Sequence, residues 1–142
     1  MTVDYVESSA LVKLVIAEPE RSALAAYLRT GTGQVTSLLS VAEVQRTAAR
    51  RSTAHLRRAE VLMADIALLA IDRQVIDAAA RLQPTTLRTL DAIHVASALQ
   101  LGSEVRSFVT YDRRLAAAAL AAGLPVASPG ADLDVDADPG RL

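Results

Sequence analysis

The strongest constraint on this chain is the alternation of short apolar runs with longer helical stretches. V-D-Y-V-E (3–7), Q-V-T-S (34–37), A-L-L-A-I-D (67–72) and R-S-F-V-T-Y (106–111) read as strands, and L-P-V-A (124–127) as a short fifth. Helical patterns fill the gaps. They cover A-L-V-K-L-V-I-A before Pro19, about Arg21–Arg29, Ser40–Arg51, His55–Ile66, Gln74–Leu82, Leu90–Leu101 and Arg114–Ala122. Ser8 or Ser9 is the expected cap of the first helix, and the second ends at Gly31 and Gly33. Strands separated by helices join in parallel, because each crossover returns the chain to the same end of the sheet. Parallel strands are buried on both faces, which suits short apolar runs. The expected fold class is therefore α/β, with residues 1–130 as one domain. The two helices at 40–66 form an all-α hairpin that is expected to project as an arm.

Composition removes several function classes. There is no cysteine, so disulfides and thiolate metal sites are excluded and a reducing cytoplasm is the expected compartment. No run of about 18 apolar residues exists to span a membrane, and no signal peptide is expected. Net charge is −1, but A-D-L-D-V-D-A-D-P-G-R-L (131–142) is strongly acidic and is expected to be a frayed tail. Without it, residues 1–130 carry 14 basic and 12 acidic groups, so the body is mildly basic. Every basic residue but Lys13 is arginine, which suits phosphate recognition. Arg46, Arg50, Arg51, Arg57 and Arg58 form the densest basic stretch, at the turn of the helical hairpin.

In an open parallel sheet, ligands bind beyond the carboxyl ends of the strands. Glu7, Asp72 and Asp112 fall at or near such ends, while Glu43 and Asp91 lie in apolar helical contexts. Taken singly, each is an ordinary helix, cap or loop acid, and nothing around Asp72 points to a site. His94, three residues after Asp91 on the same helix face, reads as a hydrogen-bonded packing residue. Only the set of acids argues for chemistry. Two carboxylates about 4 Å apart repel by roughly 4 kcal/mol at an effective dielectric near 20. A hard divalent cation with oxygen ligands removes that cost. No Ser-His-Asp order or thiol offers a rival nucleophile. A receiver-type or haloacid-dehalogenase-type domain also gathers acids at strand ends, but here no D-x-D follows strand one and no Lys follows the late strand.

In order along the chain stand V-E-S-S-A-L-V-K-L, T-S-L-L-S-V-A-E-V, L-D-A-I-H-V-A-S-A-L-Q-L-G and F-V-T-Y-D-R-R-L. This series resembles the PIN-domain ribonucleases, and within them the VapC-type toxins of toxin–antitoxin pairs, over residues 3–127. The resemblance implies a three-layer α/β/α sandwich on a parallel sheet of four to five strands. It places the family's acids on Glu7, Glu43, Asp91 and Asp112, and its small hydroxyl residue on Ser9. It implies Mg²⁺ or Mn²⁺ at those acids and hydrolysis of RNA to 5′-phosphate and 3′-hydroxyl ends. Glu43 and Asp91 are the foremost expected ligands. Glu7 would bind metal directly or through water, and Asp112 would hold a second metal or orient water. Arg113 and Arg114, next to Asp112, are placed to hold phosphate. The implied partners are RNA, an antitoxin that blocks the acidic pocket, and a second copy in a homodimer or toxin–antitoxin hetero-oligomer. Leu11, Leu14, Val15, Leu24 and Leu28 on the first two helices offer the antitoxin a groove.

The chain departs from the family pattern at one position. Glu7 stands where the family has Asp, and Asp4 cannot replace it because strand alternation turns Asp4 to the opposite face. One added methylene gives about 1 Å of reach, where catalytic groups tolerate about 0.5 Å. The alternative expectation is therefore a catalytically impaired PIN domain that binds RNA or a partner.

Overall fold

The computed structural model describes residues 2–133. The acidic tail from residue 134 onward lies outside the described residues. Along the chain run β1 (Val3–Val6), α1 (Ser8–Val15), α2 (Arg21–Arg29), β2 (Gln34–Ser37), α3 (Leu39–Arg51), α4 (Thr53–Asp65) and β3 (Ala67–Leu69). There follow α5 (Arg73–Arg81), α6 (Thr89–Leu99), a single 3₁₀ turn (Gly102–Glu104), β4 (Val105–Val109), α7 (Arg113–Ala121) and β5 (Val126–Ala127).

The five strands form one sheet in the order β3-β2-β1-β4-β5, and every pairing is parallel. β1 is central, with Tyr5 opposite Phe108 and Val6 opposite Val109 on β4. Strand alternation sends these two pairs to opposite faces. Val6 and Val109 pack with Leu11 and Val15 of α1, Leu24 of α2, Val44 of α3 and Met63 of α4. Tyr5 and Phe108 stack with ring centroids 5.1 Å apart and meet Val95 of α6 and Leu115 of α7 on the other face. The result is the expected three-layer α/β/α sandwich. Alanines 116–119 of α7 are all buried, so this helix approaches the sheet closely.

Several local expectations are corrected. β3 ends at Leu69, and Asp72 instead caps α5, its carboxylate accepting from the Val75 amide at 2.9 Å. Neither serine caps α1. Glu7 holds the cap position without a side-chain cap bond, and both serines lie inside the helix, their hydroxyls committed to carboxylates. The α3–α4 hairpin does not project as an arm along its length. Val44, Ala48, Ala59 and Met63 are buried against α1 and the sheet. The expected groove on the first two helices is mostly interior: Leu11, Val15, Leu24 and Leu28 are core, and of those five only Leu14 is partly open.

Near the start of β1, Asp4 is fully buried yet charged. Arg106 grips it through Nε–Oδ1 and Nη2–Oδ2 bonds of 2.8 Å each, and the Ser107 hydroxyl donates to it at 2.7 Å. The guanidinium also lies 4.3 Å over the Tyr27 ring, tying α2 to the sheet. Gly31 is required beside this network, since a Cβ there would sit 2.7 Å from Asp4 Oδ2. Gly123, at φ +92°, closes α7 in the left-handed region that glycine favours.

Candidate active site

The site is built where β1 gives way to α1. Glu7 continues the line of β1, its amide donating to the Val109 carbonyl at 2.9 Å, and its side chain is buried. Ser9, two residues on, donates to Glu7 Oε2 at 2.5 Å. Thr110, just past the end of β4, donates to the same oxygen at 2.8 Å. The Tyr111 amide donates to Ser9 Oγ at 2.9 Å, which fixes that hydroxyl's own orientation. Thr110 Oγ1 also accepts from the Asp112 amide at 3.1 Å, so one hydroxyl connects Glu7 with Asp112.

A second set surrounds Glu43, one turn into α3. Ser8 donates to Glu43 Oε1 at 2.5 Å, and His94 Nε2 lies 2.6 Å from the same oxygen. His94 is buried, and its Nδ1 is 2.7 Å from the Tyr5 hydroxyl. Asp91 stands three residues before His94 on α6, and among the described residues its carboxylate accepts no hydrogen bond. Asp112 caps α7, its Oδ1 accepting from the Leu115 amide at 3.1 Å.

The electrostatics follow from burial and from these partners. Burial pushes the Glu7 carboxyl above its ordinary range, against the opposing pull of the Ser9 and Thr110 hydroxyls. Burial likewise pushes Asp91 up, the nearby Asp112 and Glu43 carboxylates add to it, and Arg88 opposes it. Glu43 goes the other way. Burial acts to raise it, but hydrogen bonds from His94 and Ser8 outweigh burial and hold it below its ordinary value.

The structure thus places Asp91 in the field of Asp112 and of Glu43, and links Glu7 to Asp112 through Thr110. They are not drawn into one knot. Among the described residues, no three His, Asp or Glu side chains are gathered as joint ligands of a single ion. The donor set nonetheless fits a hard divalent cation, which takes one or two carboxylates and completes its shell with water and phosphate oxygens. Both side-chain hydrogen bonds of Glu7 fall on Oε2 and both of Glu43 on Oε1, so each keeps its other oxygen clear of side-chain donors.

Sequence reasoning named Glu7, Ser9, Glu43, Asp91 and Asp112 and missed Ser8, Thr110 and the role of Tyr5. The signal for Thr110 was its place in F-V-T-Y-D, near the end of the expected strand and two residues before an acid. Ser8 was visible as the second hydroxyl in E-S-S, but its partner lies 35 positions away in sequence.

The model of the PIN domain family matches residues 5–121. Ribonuclease VapC46 of Mycobacterium tuberculosis (strain ATCC 25618 / H37Rv) is 42% identical over 129 residues, covering 91% of this chain and 99% of that protein. Ribonuclease VapC47 of M. tuberculosis (strain CDC 1551 / Oshkosh) is 41% identical over 132 residues, covering 89% and 97%. Among solved structures, M. tuberculosis VapC20, described as a Sarcin-Ricin loop cleaving toxin, superposes with a TM-score of 0.70 at 16% identity, over 90% of this chain and all of that one. A toxin–antitoxin complex from Klebsiella pneumoniae gives a TM-score of 0.68 at 20% identity, covering 89% and 97%. At those identities the two structures speak to the fold alone.

Proposed function

The chain belongs to the PIN-domain family as a VapC-type member, and from that premise we propose that it is a metal-dependent endoribonuclease toxin restrained by a cognate antitoxin. The observation that carries this reading is the retention of mutually repelling acids at the carboxyl end of the sheet. Asp91 is partly buried beside Asp112 and Glu43, and among the described residues its carboxylate accepts no hydrogen bond to offset the cost. Such an arrangement opposes folding unless a cation is its working partner.

The proposed ligands are Glu7, Glu43, Asp91 and Asp112, directly or through water, with Mg²⁺ or Mn²⁺ as the ion. When bound, the ion polarises a phosphodiester and makes water a better nucleophile at neutral pH. The chain's own residues prepare the site. Ser9 and Thr110 hold Glu7, Ser8 and His94 hold Glu43, and Asp112 stays fixed to the end of α7 by its cap bond. Arg113 and Arg114 are exposed directly after Asp112 and are suited to an RNA phosphate. Arg46, Arg50 and Arg51 are exposed on α3, which starts at Glu43's end of the site and runs away from it, and they extend the same electrostatic surface.

The antitoxin is proposed to occupy a groove lined by Leu14, Val61 and Leu62 and edged by Arg21, Arg57 and Arg58. Val61 is 70% exposed there, an apolar surface that a partner would cover. A homodimer, free or within the toxin–antitoxin assembly, and a cytoplasmic site of action belong to the same proposal. Among the described residues no helix is long and apolar enough to cross a membrane.

A second reading rests on Glu7, whose longer arm is buried where the family has Asp: a PIN domain that binds RNA or partner without cutting. One experiment separates the two. Labelled total RNA is incubated with Mn²⁺ or Mg²⁺ and the protein, its Glu7→Asp variant or its Asp91→Asn variant. Cleavage by the protein that stops with EDTA and with Asp91→Asn supports the nuclease. Cleavage by Glu7→Asp alone identifies an attenuated nuclease, and cleavage by none supports the binding module.

A further inference from the structure

Glu43 lies on α3 and Asp91 on α6, so nothing in the backbone fixes the spacing between the two foremost proposed ligands. His94 connects them. It shares one turn of α6 with Asp91, and its Nε2 lies 2.6 Å from Glu43 Oε1. Its other nitrogen is 2.7 Å from the Tyr5 hydroxyl on the central strand. We infer that Tyr5 and His94 act as positioning residues that fix the orientation of Glu43 and its distance from Asp91, leaving Glu43 Oε2 as the oxygen offered to a cation. The inference rests on the metal-dependent reading above.

The directions of the hydrogen bonds follow from the chemistry. A carboxylate only accepts, so His94 Nε2 carries the proton in that bond. In a neutral imidazole Nδ1 is then an acceptor, and the Tyr5 O–H donates to it. Burial keeps the phenol protonated. A chain of donors therefore runs from the central strand to Glu43: Tyr5 O–H to His94, and His94 Nε2–H to Oε1. Ser8 donates to the same oxygen. With two donors on Oε1, rotation of the carboxyl about its last bond is opposed and Oε2 has a single orientation. Partners of this kind are the usual means by which a fold orients a metal-binding carboxylate. A buried histidine serving only as core would need neither the tautomer nor the bond to Glu43.

The test uses the full chain, free of metal and then titrated with Mn²⁺ alone. Long-range ¹H–¹⁵N spectra read the His94 tautomer. Calorimetry or Mn²⁺ electron paramagnetic resonance reads affinity without RNA, and thermal melting reads folding. The wild-type spectrum is expected to show Nε2 protonated and Nδ1 bare. Tyr5→Phe keeps the ring stacked on Phe108. It is expected to mix the tautomers and weaken Mn²⁺ binding about tenfold. His94→Leu should weaken it at least as much. His94→Gln, which can restore a donor near Nε2, should recover affinity to within about threefold of wild type. If His94→Leu fails to melt cooperatively, Tyr5→Phe decides. A wild-type Nδ1–H tautomer overturns the inference. So does unchanged Mn²⁺ affinity in folded Tyr5→Phe and His94→Leu while wild type binds, and in that case the metal reading survives. Failure of wild type to bind Mn²⁺ overturns both.

Discussion

Arg106 and Asp4 form a two-pronged ion pair at the amino-terminal end of the central strand, with both bonds at 2.8 Å and the carboxylate wholly out of water. This acid is the one that alternation had turned away from the site, and its partner explains how a charge persists there. Arg106→Leu would strand the buried carboxylate with little more than the Ser107 hydroxyl. The expected loss is about 3 kcal/mol, near the lower end of the range for breaking a buried pair. Urea denaturation of the single variant measures it. The double variant Arg106→Leu/Asp4→Asn should recover a substantial part of the loss.

Ser9→Ala and Thr110→Ala each remove one of the two hydroxyl donors to Glu7 Oε2. Each is expected to lower Mn²⁺ affinity and RNA cleavage by about tenfold or more. Thr110→Ala carries the larger effect, because the same hydroxyl also accepts from the Asp112 amide. Thr110→Ser, which keeps the hydroxyl, should retain most of the function. Equal activity in wild type and Thr110→Ala would show that Glu7 is not part of the working site.

Asp91→Asn should abolish cleavage and yet raise the melting temperature of the metal-free protein by a few degrees. The substitution removes a partly buried charge that is pressed by Asp112 and Glu43. Stability given up for function is a common signature of working sites. Thermal melts with and without Mg²⁺ check both halves, and the stabilising effect should vanish when metal is present.

The pH dependence follows from the signs of the shifts. Glu7 and Asp91 have raised folded values, so the native state binds protons more tightly than the unfolded chain. Their contribution to stability is greatest in acid and is lost as pH rises from the ordinary carboxyl range through the raised values. Glu43 is depressed, so its contribution is present above the ordinary value of 4.5 and is lost as pH falls through its lowered value. Metal binding must displace protons still held by the raised pair. The rise in melting temperature given by saturating Mg²⁺ should therefore be larger at neutral pH than in the ordinary carboxyl range, with proton uptake by buffer seen in calorimetry. A metal-induced rise that is the same at both pH values would contradict these assignments.

The alternation of strands and helices in the sequence carried the layered architecture and the order of elements, because burial on both faces leaves short apolar runs little choice. The acids were legible for the same reason, since a carboxylate among apolar neighbours is conspicuous. Their partners were not. Thr110 reads as an ordinary strand residue, and its bond to Glu7 depends on the register of β4 against β1. Ser8 and Ser9 read as caps because local chemistry favours that role, but Ser9 turns back to Glu7 two residues before it, and the tertiary fold brings Ser8 to Glu43. The leucines of α1 and α2 read as surplus to a small core, but α3 and α4 fold over them and make a second core on that face.

Adjacent serines at the start of α1 serve different acids, Ser9 reaching Glu7 and Ser8 reaching Glu43. The same helix presents Leu14 to the groove edged by arginines, less than two turns further on. α1 is thus a shaft with the two acids geared to one end and a handle at the other. Because it is a single rigid rod, a twist or slide along its axis cannot release one carboxylate and leave the other in register. A displacement of α1 at Leu14 therefore carries the hydroxyl donors of both carboxylates with it.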